Sequence, residues 1–228
     1  SPDGQIKEQD RALVSLLHPD RLLDLIRNFI IYDNNVKKIC RYKQYFAVKK
    51  CMKRILLQDG ADTRNGVVWH TQGSGKTITM IMLTKMILRE SMKLGSSIKR
   101  PRFVMVTDRV NLDKQIRDNF IHTQMSPHRA KTGKGLIELL KEDGNTVITA
   151  LVNKFEAAVK QEYCNDSENI FVFIDEGHRT QYGKLNIYMN RVLPNAVKIA
   201  FTGTPLMQKK PKDDKRNVMS AKDTYAKF

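Results

Sequence analysis

Cysteine is scarce in this chain, with three residues in 228, at positions 40, 51 and 164. They are too few and too far apart for a disulfide framework, and no C-x-x-C or H-x-x-x-H spacing supplies a zinc ligand set. Long apolar runs are missing too. The longest, IFVFI at 170–174, is far short of the roughly 18 residues that cross a bilayer. The first residues, SPDGQIKEQDR, lack the basic and then apolar plan of a secretion signal. Together these absences point to a soluble, cytoplasmic protein. Acidic residues are also few, 24 against 40 Lys and Arg, which leaves a net charge of +16.

That charge is unevenly placed. Residues 36–57 hold eight bases and no acid, and the segment 207–228 holds seven bases and three acids, whereas residues 1–35 are slightly acidic. A basic balance of this size suits a polyanion, most often nucleic acid. The bland alternative is a solvated face that keeps the protein in solution. Apolar residues make up 41% of the chain, enough for a globular core.

The hydrophobic pattern gives the architecture. Leucines and isoleucines at 22, 23, 25, 26, 30 and 31 predict an amphipathic helix over 18–33, with Pro19 in its first turn. A second helix is predicted over 37–57, with Tyr45, Val48, Met52, Ile55 and Leu56 on one stripe. Beyond residue 60, five short apolar runs read as buried parallel strands: 67–69, 102–106, 146–148, 170–174 and 197–201. Helical stretches at 76–90, 109–120, 133–142, 150–160 and 184–193 lie between or after them. Alternating strands and helices predict an α/β fold with a parallel sheet between helices, preceded by an N-terminal helical segment.

Each predicted strand runs straight into a polar cluster: HTQGSGKT (70–77), TDR (107–109), TA (149–150), DEGH (175–178) and TGT (202–204). In a parallel sheet these clusters gather at the carboxyl ends of the strands, where open α/β folds bind ligands. Gly73, Ser74 and Gly75 let the backbone curl and aim its amides at an anion, beside the N-terminus of the following helix. Lys76 can reach the β- and γ-phosphates, and the Thr77 hydroxyl can ligate Mg²⁺. The strict phosphate-loop pattern wants glycine at position 70 and finds His70. That residue is expected to be a turn residue without a chemical role. Asp175 would hold Mg²⁺, and Glu176 would orient and deprotonate the attacking water. Thr202, Gly203 and Thr204 could sense loss of the γ-phosphate and pass it on.

At these residues the chain resembles a known family. HTQGSGKT, DEGH and TGTP, in this order, look like motifs I, II and III of the superfamily 2 helicases and translocases. RLLDLIRNFI (21–30), RYKQYFAV (41–48), FIDEGHRTQYG (173–183) and AFTGTPL (200–206) narrow the resemblance to the motor subunit of type I restriction–modification enzymes. It extends from about residue 12 to the end of the chain. The resemblance implies a RecA-like P-loop NTPase lobe that uses ATP and Mg²⁺, moves along double-stranded DNA and assembles with methyltransferase and specificity subunits in a bacterial or archaeal cell. It implies a helical linker from an upstream nuclease domain at 1–35, the first RecA-like lobe at 36–206, and a basic tail towards a second lobe at 207–228. Gln44 would read the adenine edge with Arg41 nearby, since a side-chain amide can donate and accept at once. Arg109, Thr149 and Lys154 would touch the DNA backbone, and His178 would couple ATP chemistry to the DNA side. Gly177 departs from the alanine or cysteine usual at its position. A chain lacking the second lobe and its arginine finger, which contributes about 10³–10⁵ in rate, is expected to bind ATP–Mg²⁺ weakly and hydrolyse it poorly. The competing readings are another superfamily 2 helicase or remodeller, a basic nucleic-acid-binding module with a vestigial nucleotide site, and a small-molecule P-loop kinase. The last would leave DEGH, TGTP and the charge unexplained.

Overall fold

All five apolar runs form strands in the computed structural model, which describes residues 8–57, 61–71, 73–175 and 182–203. The chain begins with helices α1 (Glu8–Leu17) and α2 (Pro19–Asn28), then a hairpin of β1 (Ile30–Asp33) and β2 (Val36–Ile39). Helices α3 (Tyr42–Ile55) and the short α4 (Ala61–Arg64) lead into β3 (Gly66–Trp69), α5 (Lys76–Ser91), β4 (Arg102–Thr107) and α6 (Val110–His122). There follow β5 (His128–Arg129), α7 (Gly133–Lys141), β6 (Val147–Leu151), α8 (Val152–Lys160), β7 (Ile170–Asp175), α9 (Tyr182–Val192) and β8 (Val197–Thr202).

Strands β3 to β8 form one parallel sheet in the order β3-β8-β7-β4-β6-β5. Side chains alternate across it, as a period of two requires. Phe103, Met105, Phe171, Phe173, Ile199 and Phe201 face a core closed by α3, α5, α6 and the hairpin. Val104, Val106, Ile148, Ile170, Val172 and Ile174 face a second core closed by α7, α8 and α9. Across the first core Phe103 stacks on Phe171 with centroids 5.6 Å apart, and Phe173 meets Phe201 edge-on at 5.6 Å. No helix among the described residues is long and apolar enough to cross a membrane.

The structure corrects the predicted helices over 18–33 and 37–57. The first stops at Asn28 and the second begins at Tyr42, because residues 30–39 turn back as a hairpin. Asn34 and Asn35 both have positive φ, 49° and 64°. That is the type I′ geometry that matches strand twist, and asparagine tolerates it better than most residues. The hairpin straddles residues 35 and 36, and Phe29 and Ile31 bury into the same core as α3 and α5. One polar network fastens α2 to that core. Asp24 accepts hydrogen bonds from Tyr45 (3.0 Å) and Lys49 (2.9 Å) of α3 and from Asn28 (2.6 Å), and Asn28 in turn accepts from Arg89 of α5 (2.7 Å). Burial alone would raise the Asp24 carboxyl, but the hydrogen bonds and the charge of Lys49 outweigh it and hold the pKa below its ordinary value.

Candidate nucleotide site

Strand order decides which clusters meet. β3, β8 and β7 are consecutive neighbours, so the HTQGSGKT loop, the TGT turn and the end of the Asp175 strand leave the sheet side by side. Lys76 and Thr77 occupy the first turn of α5, and Asp175 is the last residue of β7. Glu176, His178 and Thr204 lie outside the described residues.

The loop uses two left-handed residues, Gly73 at φ 75° and Gly75 at φ 83°. Gly75 has a second reason to be glycine: a Cβ there would lie 2.6 Å from the Gln44 amide nitrogen. Gly75 precedes α5, and its carbonyl accepts from both the amide (3.0 Å) and the hydroxyl (3.2 Å) of Thr79. An α-helix leaves its first amides without internal acceptors. The Ser74 hydroxyl is enclosed and finds no hydrogen-bond partner. Two left-handed turns, a helix N-terminus and an orphaned hydroxyl donor fit a phosphate group. Among the described residues no group of three or more His, Cys, Asp or Glu is placed to hold a metal. The Thr77 hydroxyl and the Asp175 carboxylate are hard oxygen donors of the kind Mg²⁺ takes.

The first turn of α3 grips the loop at both ends. Gln44 is buried, and its Oε1 accepts from the Arg41 amide at 2.8 Å. Its Nε2 donates to the Ser74 and Gly75 carbonyls, each at 3.2 Å. The acceptor and the donor group are both engaged, so Gln44 braces the loop. Arg41 sits at the N-terminal cap of the same helix. At the other end His70 is buried beside the Lys43 backbone, and its Nδ1 finds no hydrogen-bond partner. Burial, helped by the charges of Lys76 and Lys43, lowers its pKa below the ordinary histidine value. His70 is a buried residue packed where β3 passes into the loop. The strand before it carries a further link, of which the sequence holds no sign. The Trp69 indole donates to the Gly203 carbonyl at 2.9 Å, and the His70 amide donates to the Thr202 carbonyl at 3.0 Å.

The other half of the sheet carries the predicted DNA-contacting residues. Arg109 stands exposed after β4, at the start of α6. Thr149 does not reach the surface. β6 runs on to Leu151 rather than ending at 148, and Thr149 lies inside it, 1% exposed. Lys154, in the first turn of α8, lines an open cavity of about 140 Å³ with Asp113, Arg129, Ala130, Lys131 and Leu151. Asp113 is buried and its carboxylate pairs with Arg129 at 2.9 Å, which orients the guanidinium. Sequence reasoning passes over Arg129 and Lys131. Their only signal is the basic run HRAKTGK, which is short and lies outside every recognised motif.

Residues 43–227 match the SWI2/SNF2 ATPase family. Among curated proteins the chain is 34% identical over 205 residues to a putative type I restriction enzyme MjaIXP endonuclease subunit of Methanocaldococcus jannaschii, covering 86% of this chain and 19% of that one. It is 33% identical over 227 residues to the type I restriction enzyme HindI endonuclease subunit of Haemophilus influenzae, covering 87% and 21%. The chain thus spans about a fifth of the length of these relatives. Among solved structures it resembles a nuclease-deletion mutant of the Type ISP restriction-modification enzyme LlaGI in complex with a DNA substrate mimic. The TM-score is 0.54 at 16% identity, covering 78% of this chain and 19% of the other. It also resembles the UvsW helicase from bacteriophage T4, with a TM-score of 0.55 at 13% identity, covering 91% and 64%. Both likenesses carry the fold alone, a RecA-like lobe.

Proposed function

Because this chain belongs to the SWI2/SNF2 ATPase family, we propose that it is the ATP-binding lobe of a double-stranded-DNA translocase in a type I restriction endonuclease. The observation that carries this reading is the juxtaposition of the braced phosphate loop with the ends of β7 and β8 on three adjacent strands. Lys76, Thr77, Asp175 and Glu176 are all present, which argues against a vestigial site.

In this reading the loop amides and Lys76 bind the β- and γ-phosphates of ATP, and Thr77 and Asp175 would hold Mg²⁺, which would supply positive charge against the phosphates. Glu176 orients and deprotonates the attacking water. Arg41 and Gln44 lie on the adenine side, where Gln44 would exchange one loop carbonyl for the base. His178, Thr202, Gly203 and Thr204 couple the γ-phosphate to the DNA side. Arg109 and the cavity of Arg129, Lys131 and Lys154 meet the DNA backbone, by charge rather than by sequence. Methyltransferase and specificity subunits are its partners, the specificity subunit supplies the DNA target, and the cell is bacterial or archaeal.

The test is ATP hydrolysis by the full-length parent with and without linear duplex DNA, beside Lys76→Ala and Glu176→Gln. Hydrolysis stimulated by duplex DNA and abolished in both variants supports the motor. Stimulation by RNA alone favours another superfamily 2 enzyme, and DNA binding without any hydrolysis favours the vestigial module.

A further inference from the structure

The chain has one tryptophan, and core packing does not account for its place. Trp69 ends the edge strand β3 with half of its surface exposed. A buried hydrophobic anchor would be enclosed, and an edge position accepts many smaller residues. What its indole does instead is donate to the Gly203 carbonyl, the first peptide oxygen beyond β8. The next residue, His70, donates its amide to the carbonyl before it, that of Thr202. Two consecutive residues at the root of the phosphate loop therefore hold two consecutive carbonyls at the root of the TGT turn. The Thr202 contact extends the sheet ladder and belongs to the strands. The Gly203 contact does not: it fixes the orientation of a peptide whose glycine would otherwise turn freely.

We propose that Trp69 is a positioning residue that ties the phosphate loop to the TGT turn, so that nucleotide held by the loop sets the conformation of the turn. The proposal rests on the ATP reading of the loop. The indole N–H is the part that acts; the ring is its support.

The experiment is hydrogen exchange of this chain with and without ATP–Mg²⁺, in wild type and in Trp69→Phe, which keeps the aromatic ring and removes the donor. The peptide covering the loop, 70–80, reports binding, and the peptide that ends in the TGT turn reports transmission. Both peptides are expected to slow on adding nucleotide in wild type. In Trp69→Phe the loop peptide still slows, while the response of the turn falls by about fivefold, the factor one neutral hydrogen bond contributes. An equal turn response in the two proteins, or a turn that ignores nucleotide in wild type while the loop responds, overturns the proposal and leaves the ATP reading intact. A loop peptide indifferent to nucleotide in wild type overturns the ATP reading and the tie together. Melting temperature separates a folding defect: Trp69→Leu also lacks the donor, and it must reproduce the weakened turn response at unchanged loop response.

Discussion

Gln44 holds the phosphate loop to the first turn of α3 through both ends of its amide. The motif around it marks the residue, and its amide chemistry suits a base edge. Neither reveals that Oε1 is taken by the Arg41 amide and Nε2 by two loop carbonyls, because those carbonyls lie 30 and 31 residues away in sequence. Gln44→Ala removes two hydrogen bonds to the loop, each worth about 1 kcal/mol. ATP affinity, measured by titration of a fluorescent analogue, is expected to fall by roughly tenfold or more. Unchanged affinity would mean that the loop holds its shape unaided. His70 makes a second prediction through pH. Its folded pKa lies below the unfolded value, so protonation favours the unfolded chain. Its contribution is complete above about pH 6.5 and is lost as pH falls below that value. Denaturant unfolding at pH 7.5 and 5.5 should show a larger acid loss for wild type than for His70→Gln. Two of the three cysteines are held as thiols by burial: it pushes Cys51 up to about 12 and Cys40 to about 11, far from thiolate at neutral pH.

Elements differ in how much of them the sequence carries. The five sheet strands are legible because both faces are covered, and a strand buried on both sides is an unbroken apolar run. The length of β6 is not: Thr149 and Ala150 look like the polar cluster after a strand, yet pairing with β4 and β5 carries the ladder through them. The hairpin is hidden because IIYD and VKKI each join an apolar stripe of helical period on their outer side. The decisive signal is Asn34–Asn35, two residues that accept positive φ in succession. Replacing Asn35 with Val should destabilise the lobe by about 1–2 kcal/mol, since a β-branched side chain is strained in the left-handed region; Asn35→Gly should cost little. Equal unfolding midpoints for Val and Gly would rule out the turn geometry. In the sheet, Phe173 touches Phe103 and Phe201 at the centre of one core. Phe173→Ala should cost about 3–5 kcal/mol, read as a shift in denaturant midpoint without a change in slope.

At the scale of the whole molecule, strand order divides the sheet into two working halves. β3, β8 and β7 carry the nucleotide side; β4, β6 and β5 carry Arg109 and the cavity of Arg129, Lys131 and Lys154. The clusters and their common end of the sheet are legible in the sequence. This division is not, because strand adjacency is not written in chain order. Nor does net charge say where the bases act. The most basic stretch, 36–57, is only partly available: Lys49 pairs with Asp24 at 2.9 Å and Lys38 pairs with Asp33. Changing Lys49, Lys50 and Lys53 to Ala should therefore leave the salt dependence of DNA binding unchanged. Changing Arg129, Lys131 and Lys154 to Ala should reduce the slope of log affinity against log salt by about 0.9 for each phosphate that is no longer neutralised. The reverse pattern would move the DNA to the α3 side.

The central claim is that the loop after β3 is a working nucleotide site, and calorimetric titration of this chain with ATP in the presence of Mg²⁺ tests it most directly. The account predicts one saturable site, abolished by Lys76→Ala with the melting temperature of the free protein unchanged. Binding that survives Lys76→Ala, or no binding by the folded wild-type chain at millimolar ATP, would contradict it.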